Sequence, residues 1–122
     1  MIVLDTNVLS ELMRPEPDAA VTDWVAARSA ADLFVTTITQ AEILHGVLLR
    51  PRGRRRDAIE AAADAMFRED FAGRILPFNS PAARAYAEIA VARRQAGRPI
   101  SQFDAQIAAI AKSTGAGVAT RN

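Results

Sequence analysis

The sequence contains no cysteine and a single histidine among its 122 residues. The lack of cysteine excludes a disulfide framework and any thiolate metal site. One histidine is too few for the usual zinc centres, which combine several histidine or cysteine ligands. A metal bound to this chain would therefore have oxygen ligands, which suit Mg²⁺ or Mn²⁺.

Long apolar runs are also missing. No segment approaches the roughly 18 consecutive apolar residues of a membrane-spanning helix, so no membrane partner is predicted and a cytoplasmic location is expected. The formal net charge of +1 is too small to indicate a class of partner by itself. Half of the residues are hydrophobic, and a chain of this length is expected to form one domain with one core.

Several common catalytic signatures are absent. The sequence contains no Gly-x-x-x-x-Gly-Lys loop, and no Gly-x-Gly-x-x-Gly follows the first apolar segment, which excludes the nucleotide-binding sites that those loops form. Phosphatases of the haloacid-dehalogenase type have a second Asp two residues after the first, whereas Asn7 stands two residues after Asp5. A phosphoryl receiver domain has an Asp closing its third strand, and the corresponding segment here ends in Phe78-Asn79.

The hydrophobic pattern predicts strands that alternate with helices. The predicted strands are residues 1–5, 33–37, 75–78 and 118–119. Helices are predicted around residues 8–13, 21–28, 43–48, 59–66, 80–97 and 101–115, with Ser80 as the cap before Pro81. The long connections between strands require parallel pairing. The sequence therefore predicts an α/β fold with a central parallel sheet flanked by helices.

Three acids follow these predicted strands. Asp5 ends the first strand, Glu42 is expected in the first turn of the helix after the second strand, and Asp104 is expected in the first turn of the helix after residue 101. Ligands of open parallel sheets bind beyond the carboxyl ends of the strands. Carboxylates that gather there need a compensating cation to stay ionised together. The spacing thus indicates a divalent-metal site and hydrolytic chemistry.

Each acid also has a purely structural interpretation. Asp5 is a suitable cap for the first helix, Thr39-x-x-Glu42 has the form of a capping box, and Ser101-x-x-Asp104 is similar. The two interpretations are compatible, because the positive end of a helix favours the ionised carboxylate that a cation needs. From spacing alone, both stay open.

Other polar residues accompany the acids. Thr6, Asn7 and Thr120 are candidates for orienting water or metal ligands, and each is otherwise an ordinary cap or turn residue. Asn122 is a further candidate for a supporting role at the site. A basic cluster is the candidate surface for nucleic-acid phosphates, or else a solvated helix end and loop. It consists of Arg50, Arg52, Arg54, Arg55 and Arg56.

The segment Val3-Leu4-Asp5-Thr6-Asn7-Val8-Leu9-Ser10-Glu11 resembles the opening of PIN domains, particularly the VapC-type toxins of bacterial toxin–antitoxin pairs and their FitB-like branch. Four further segments resemble later parts of the same family, in order and at the expected separations. They are residues 36–43 with Gly46, 71–78, 100–111 and 118–122. The resemblance covers essentially the whole chain.

This resemblance implies a fold, an activity and partners. The fold would be a three-layer PIN-like arrangement, and Asp5, Glu42 and Asp104 would hold Mg²⁺ or Mn²⁺ and act as the catalytic acids. The activity would be endonucleolytic cleavage of RNA by a homodimer, with a VapB-like antitoxin as the partner that blocks the site.

The sequence departs from the family pattern near residue 122. The resemblance predicts a fourth acid at or a few residues beyond Asn122, followed by a last strand, and the residue at 122 is Asn. Residues 1–122 are accordingly expected to form a single PIN domain that is incomplete at its C-terminus. Two hypotheses follow, a metal-dependent ribonuclease toxin and a non-catalytic PIN-fold partner of an antitoxin, whose complex binds operator DNA through the antitoxin.

Overall fold

The computed structural model of the protein describes residues 1–121. Its strands are β1 (Ile2–Leu4), β2 (Leu33–Thr36), β3 (Ile75–Leu76) and β4 (Gly117–Ala119). They form one sheet in the order β3-β2-β1-β4, and every pair is parallel. In the centre of the sheet, Val3 is paired with Phe34 on one side and with Val118 on the other. The predicted parallel sheet is confirmed.

Helices connect successive strands, as parallel pairing requires. They are α1 (Thr6–Leu12), α2 (Ala19–Ala26), α3 (Thr37–Leu48), α4 (Arg54–Ala65), α5 (Ser80–Gln95) and α6 (Gln102–Thr114). A short 3-10 turn precedes β2, and α4 continues into a turn of π-helix over Met66–Asp70. No helix within residues 1–121 has the length and apolar character needed to cross a membrane.

The core lies on both faces of the sheet, because successive side chains of a strand point to opposite faces. Leu4 and Val35 face the larger cluster, where residues of α1, α3 and α4 pack on the sheet. Val3 faces the other side and packs against Ile107 and Ala111 of α6. Helices α5 and α6 also pack against each other. The structure is thus layered as helix, sheet and helix, which confirms the predicted three-layer α/β fold.

Two predicted helix caps are wrong, by three residues in α3 and by one residue in α5. The cap of α3 is Thr36, whose hydroxyl accepts the Thr39 N–H at 3.1 Å, so Thr39 is not the cap. Strand β2 passes directly into this helix, and Glu42 consequently lies in the second turn and not in the first. The cap of α5 is Asn79, whose side-chain oxygen accepts the Ala82 N–H at 3.1 Å, and the predicted cap Ser80 is the first helical residue.

Helix α6 has the predicted ends. Its cap is Ser101, and it stops at Gly115. Gly115 has a φ of 72°, in the left-handed region that glycine adopts without strain, and such a residue commonly ends a helix. This placement brings Asp104 into the first turn, as predicted.

Candidate active site

Asp5 stands at the carboxyl end of β1, where two interactions hold it. Its backbone N–H donates to the carbonyl of Ala119 at 3.1 Å, and its Oδ1 accepts the Val8 N–H at 2.9 Å. Asp5 is therefore the cap of α1, as the structural interpretation predicted. The residue is buried, and its second carboxylate oxygen accepts no hydrogen bond from residues 1–121. One carboxylate oxygen of Asp5 thus caps α1, and the other is available for a ligand.

Asp104 is exposed in the first turn of α6. Its backbone N–H donates to the Ser101 hydroxyl at 3.1 Å, so the cap of this helix is made by the serine and not by the Asp104 carboxylate. Asp5 and Asp104 line the same cleft of about 270 Å³ at the carboxyl end of β1, and Asn7 and Thr120 contribute to its walls. The topology has brought together two acids that lie about a hundred residues apart.

Glu42 is held by hydroxyl groups. The Thr6 hydroxyl donates to Glu42 Oε1 at 2.7 Å, and the hydroxyls of Thr6 and Thr39 are 2.9 Å apart. A threonine hydroxyl has one proton. Because Thr6 donates that proton to the carboxylate, Thr39 must be the donor to Thr6. This chain ties the start of α1 to α3 and orients Glu42.

The three acids lie in two neighbouring clefts. Glu42 lines a cleft of about 630 Å³ together with Thr6, Arg50 and Arg55, whereas Asp5 and Asp104 line the smaller one. Within residues 1–121, no group of three or more Asp, Glu or His side chains is close enough to hold a metal ion jointly.

The carboxylates of Asp5 and Asp104 nonetheless fit a hard divalent cation. Mg²⁺ keeps several of its waters and commonly takes only one or two protein carboxylates, with substrate phosphates completing its shell. Two oxygen donors that line one accessible cleft meet that requirement. The absence of cysteine points to the same class of ion.

The remaining predicted residues are placed as follows. Thr6 contacts Glu42, and Asn7 and Thr120 line the cleft of Asp5 and Asp104. Asn122 lies outside the described residues. Of the basic cluster, Arg50 and Arg55 line the Glu42 cleft, Arg52 and Arg54 are exposed, and Arg56 is half-buried.

A buried acid that sequence reasoning did not select is Glu11, which is 5% exposed. It accepts the Asp18 N–H at 2.9 Å and a bond from Arg14 at 3.3 Å, and it pairs with Arg121. Arg121 also contacts Asp18 at 3.0 Å. The backbone N–H of Asp18 and the two guanidinium groups hold the pKa of Glu11 below its ordinary value of 4.5. Of these contacts, only the one with Arg14 could have been predicted from the sequence, because Arg14 lies three residues after Glu11.

The lowered pKa of Glu11 makes its contribution to stability depend on pH. A depressed pKa means that the ionised side chain stabilises the fold above pH 4.5, and that this contribution is lost as the pH falls through the lower pKa of the folded state. We expect Glu11→Gln to lower the melting temperature at pH 7, and this difference from the native protein should shrink on acidification below pH 4.5. Thermal melts between pH 7 and pH 3 measure it. Glu16→Gln is the matched control, since Glu16 is exposed, and a Glu11→Gln difference that stays constant with pH would contradict the ionic role.

Arg93 belongs to a small group of arginines, with Arg94 and Arg98, for which the sequence left open both contact with nucleic-acid phosphates and a solvated helix end. It lines the cleft of Asp5 and Asp104. Its position near the end of α5 is connected to the start of α6 by a short loop, and the two helices pack against each other.

Comparisons with known proteins agree with this fold. The PIN domain family matches residues 2–122. Plasmid stability protein StbB of Pseudomonas syringae pv. tomato is 43% identical over 100% of this chain and 88% of its own length. VapC ribonuclease Y4jK of Sinorhizobium fredii is 41% identical over 100% of this chain and 87% of its own. Toxin FitB of Neisseria gonorrhoeae is 39% identical over 100% of this chain and 88% of its own.

A solved structure shows the same architecture. The crystal structure of FitAcB from Neisseria gonorrhoeae contains a chain that is 39% identical and aligns with a TM-score of 0.93, over 100% of this chain and 88% of that one. Both the sequence match and the structural match span the segments that carry Asp5, Glu42 and Asp104. The chain belongs to the PIN domain family.

Proposed function

We propose that the protein is a metal-dependent endoribonuclease that acts as the toxin of a type II toxin–antitoxin pair. The observation that carries the proposal is the shared cleft of Asp5 and Asp104 at the carboxyl end of a parallel sheet. In a PIN domain with relatives named VapC ribonuclease and Toxin FitB, two carboxylates that line one cleft support cleavage of a phosphodiester.

In this proposal Asp5 and Asp104 hold Mg²⁺ or Mn²⁺, and Glu42 acts beside them. A bound divalent ion supplies a water of lowered pKa and offsets charge on the scissile phosphate. The chain's own contribution is to present ionised oxygens. Asp5 is fixed by its helix cap, and Glu42 is fixed by Thr6. The general base is assigned to the three acids as a group and not to one residue.

The clefts provide a path for a single-stranded substrate. Asn7 lines both the acid cleft and a shallow cleft that includes Arg14 and Arg121. Arg14 in turn lines the Glu42 cleft, where Arg50 and Arg55 lie. Arginines along such a path bind phosphates, which position a strand without reading its sequence. We therefore propose Arg50 and Arg55 as backbone contacts, with the rest of the basic cluster at the exposed margin.

The proposed partner is a VapB-like antitoxin. Relatives named VapC ribonuclease and Toxin FitB support this partner, and the FitAcB crystal structure supports a similar assembly. The proposal further includes a homodimer, which sedimentation would measure, and a cytoplasmic location, where an RNA substrate is available.

The direct test is cleavage of single-stranded RNA with Mg²⁺ or Mn²⁺ and with a chelator. We expect cleavage that the chelator removes. We also expect Asn122→Asp to increase the rate, because the family pattern predicts a fourth acid at or just beyond this position. Absence of cleavage in both proteins, with an antitoxin still bound, would favour the non-catalytic binding partner.

Thr6 gives a test of the Glu42 contact. Thr6→Val removes the donor to Glu42 Oε1 and the acceptor of the Thr39 hydroxyl while conserving the shape of the side chain. We expect a loss of stability of about 1 kcal/mol, typical of a lost hydrogen bond, together with slower cleavage because Glu42 is no longer oriented. The matched control is Thr22→Val, since the Thr22 hydroxyl bonds only backbone carbonyls of its own helix region. Full activity in Thr6→Val would rule out the orienting role.

A further inference from the structure

Arg93 is the one arginine among the residues that line the cleft of Asp5 and Asp104 within the described chain. Its side chain is anchored at its inner end, where Nε donates to the carbonyl of Arg98 at 2.7 Å. A second hydrogen bond joins the same two residues, because the Arg98 backbone N–H donates to the Arg93 carbonyl at 2.9 Å. Between them Gly97 has a φ of 71°, which lets the chain turn tightly from α5 toward α6. The guanidinium is thereby held at the wall of the cleft.

The guanidinium of Arg93 forms no ion pair within residues 1–121, even though Asp5 and Asp104 line the same cleft. A guanidinium carries five N–H donors and stays charged at every pH of interest. One donor is bound to Arg98, and the terminal nitrogens have no hydrogen-bond partner among residues 1–121. A guanidinium that is anchored at one end and has no ion pair within residues 1–121 is suited to bind an anionic ligand. Because Arg93 lines the cleft of Asp5 and Asp104, that ligand would lie next to the two acids.

We propose that Arg93 binds a backbone phosphate of single-stranded RNA next to the scissile bond and so holds the strand against Asp5 and Asp104. The inference rests on the proposed function, because it takes RNA as the substrate. The planar fork of a guanidinium matches two phosphate oxygens, which a lysine ammonium does not. A phosphate contact is also the kind of contact that places a strand in register without reading its bases.

The test is binding, measured apart from cleavage. Fluorescence anisotropy with Mg²⁺ and a single-stranded RNA of phosphorothioate linkages, which resist hydrolysis, gives the affinity at several salt concentrations. We expect Arg93→Gln to weaken binding about tenfold. The slope of log affinity against log salt should fall by about 0.7, the value for one phosphate contact on a single strand. Arg93→Lys should keep most of the slope and recover only part of the affinity.

Two control variants separate this role from others. Arg94→Gln removes another exposed arginine of the same helix, which does not line the cleft, and we expect binding within about twofold of the native protein, as for an ordinary surface substitution. Gly97→Ala strains the same turn while keeping the guanidinium, so its salt slope should match the native value.

The possible failures are distinguishable. An Arg93→Gln protein with native affinity, or with weaker binding at an unchanged slope as in a distorted turn, would overturn the assignment of Arg93. An equal loss in Arg94→Gln would show that general positive charge, and not the cleft position, is responsible. Native protein that neither binds nor cleaves RNA would refute the proposed function, and the role of Arg93 would fall with it.

Discussion

Replacing Asp104 by Asn is expected to slow RNA cleavage by about a hundredfold or more, while the folded protein remains as stable as before. The carboxylate is exposed in the cleft that it shares with Asp5. Metal-ion stabilisation of a phosphoryl transition state is worth several kcal/mol, and each 1.36 kcal/mol changes a rate tenfold. Stability is expected to hold because Ser101 caps the helix through the Asp104 backbone N–H, which the substitution retains. Removing one negative charge from the cleft also relieves repulsion with Asp5.

Cleavage of single-stranded RNA and denaturant unfolding in chelator measure the two effects of Asp104→Asn. Asp57→Asn is the matched control, because Asp57 is also an exposed acid in the first turn of a helix, α4. The control should keep full activity. If Asp104→Asn instead costs more than about 1 kcal/mol, the size of a lost helix cap, the role of Asp104 is structural.

Millimolar Mn²⁺ is expected to raise the melting temperature of the native protein and to leave that of Asp5→Asn unchanged. A ligand at a hundred times its dissociation constant stabilises the folded state by about 2.7 kcal/mol, which corresponds to roughly 10 °C for a domain of this size. Asp5→Asn removes a charged ligand but retains a good cap, since Asn at this position can still accept the Val8 N–H. Differential scanning calorimetry with and without Mn²⁺ measures the shift.

The decisive comparison is between two substitutions of Asp by Asn. Asp64→Asn changes an exposed acid of α4 and should melt with the same Mn²⁺ shift as the native protein. An Asp5→Asn protein that gains as many degrees from Mn²⁺ as the native chain does would place the metal elsewhere.

The order of strands and helices was predictable because the spacing of apolar residues within each element indicates its type and its buried face. The alternation of Val3 and Leu4 to opposite sheet faces follows from the strand period alone. The positions of Asp5 and Asp104 could be predicted from the same local patterns, because each residue lies at the start of a helix. The position of Glu42 was predicted one turn too early. The error arose because β2 passes directly into α3 with Thr36 as both the strand end and the cap, and the apolar pattern gives no sign of such a boundary.

By itself the sequence determined the α/β class, the parallel sheet, and the oxygen character of any metal site, because periodicity and composition are local properties. Tertiary structure decided which side chains share a cleft. Glu42 lines one cleft, and Asp5, Asp104 and Arg93 line the neighbouring one. Tertiary structure also joined Glu11 to Arg121, which lie 110 residues apart on the chain. Such distances depend on how helices dock onto the sheet, and docking is set by the packing of many side chains at once and not by the residues that it brings together.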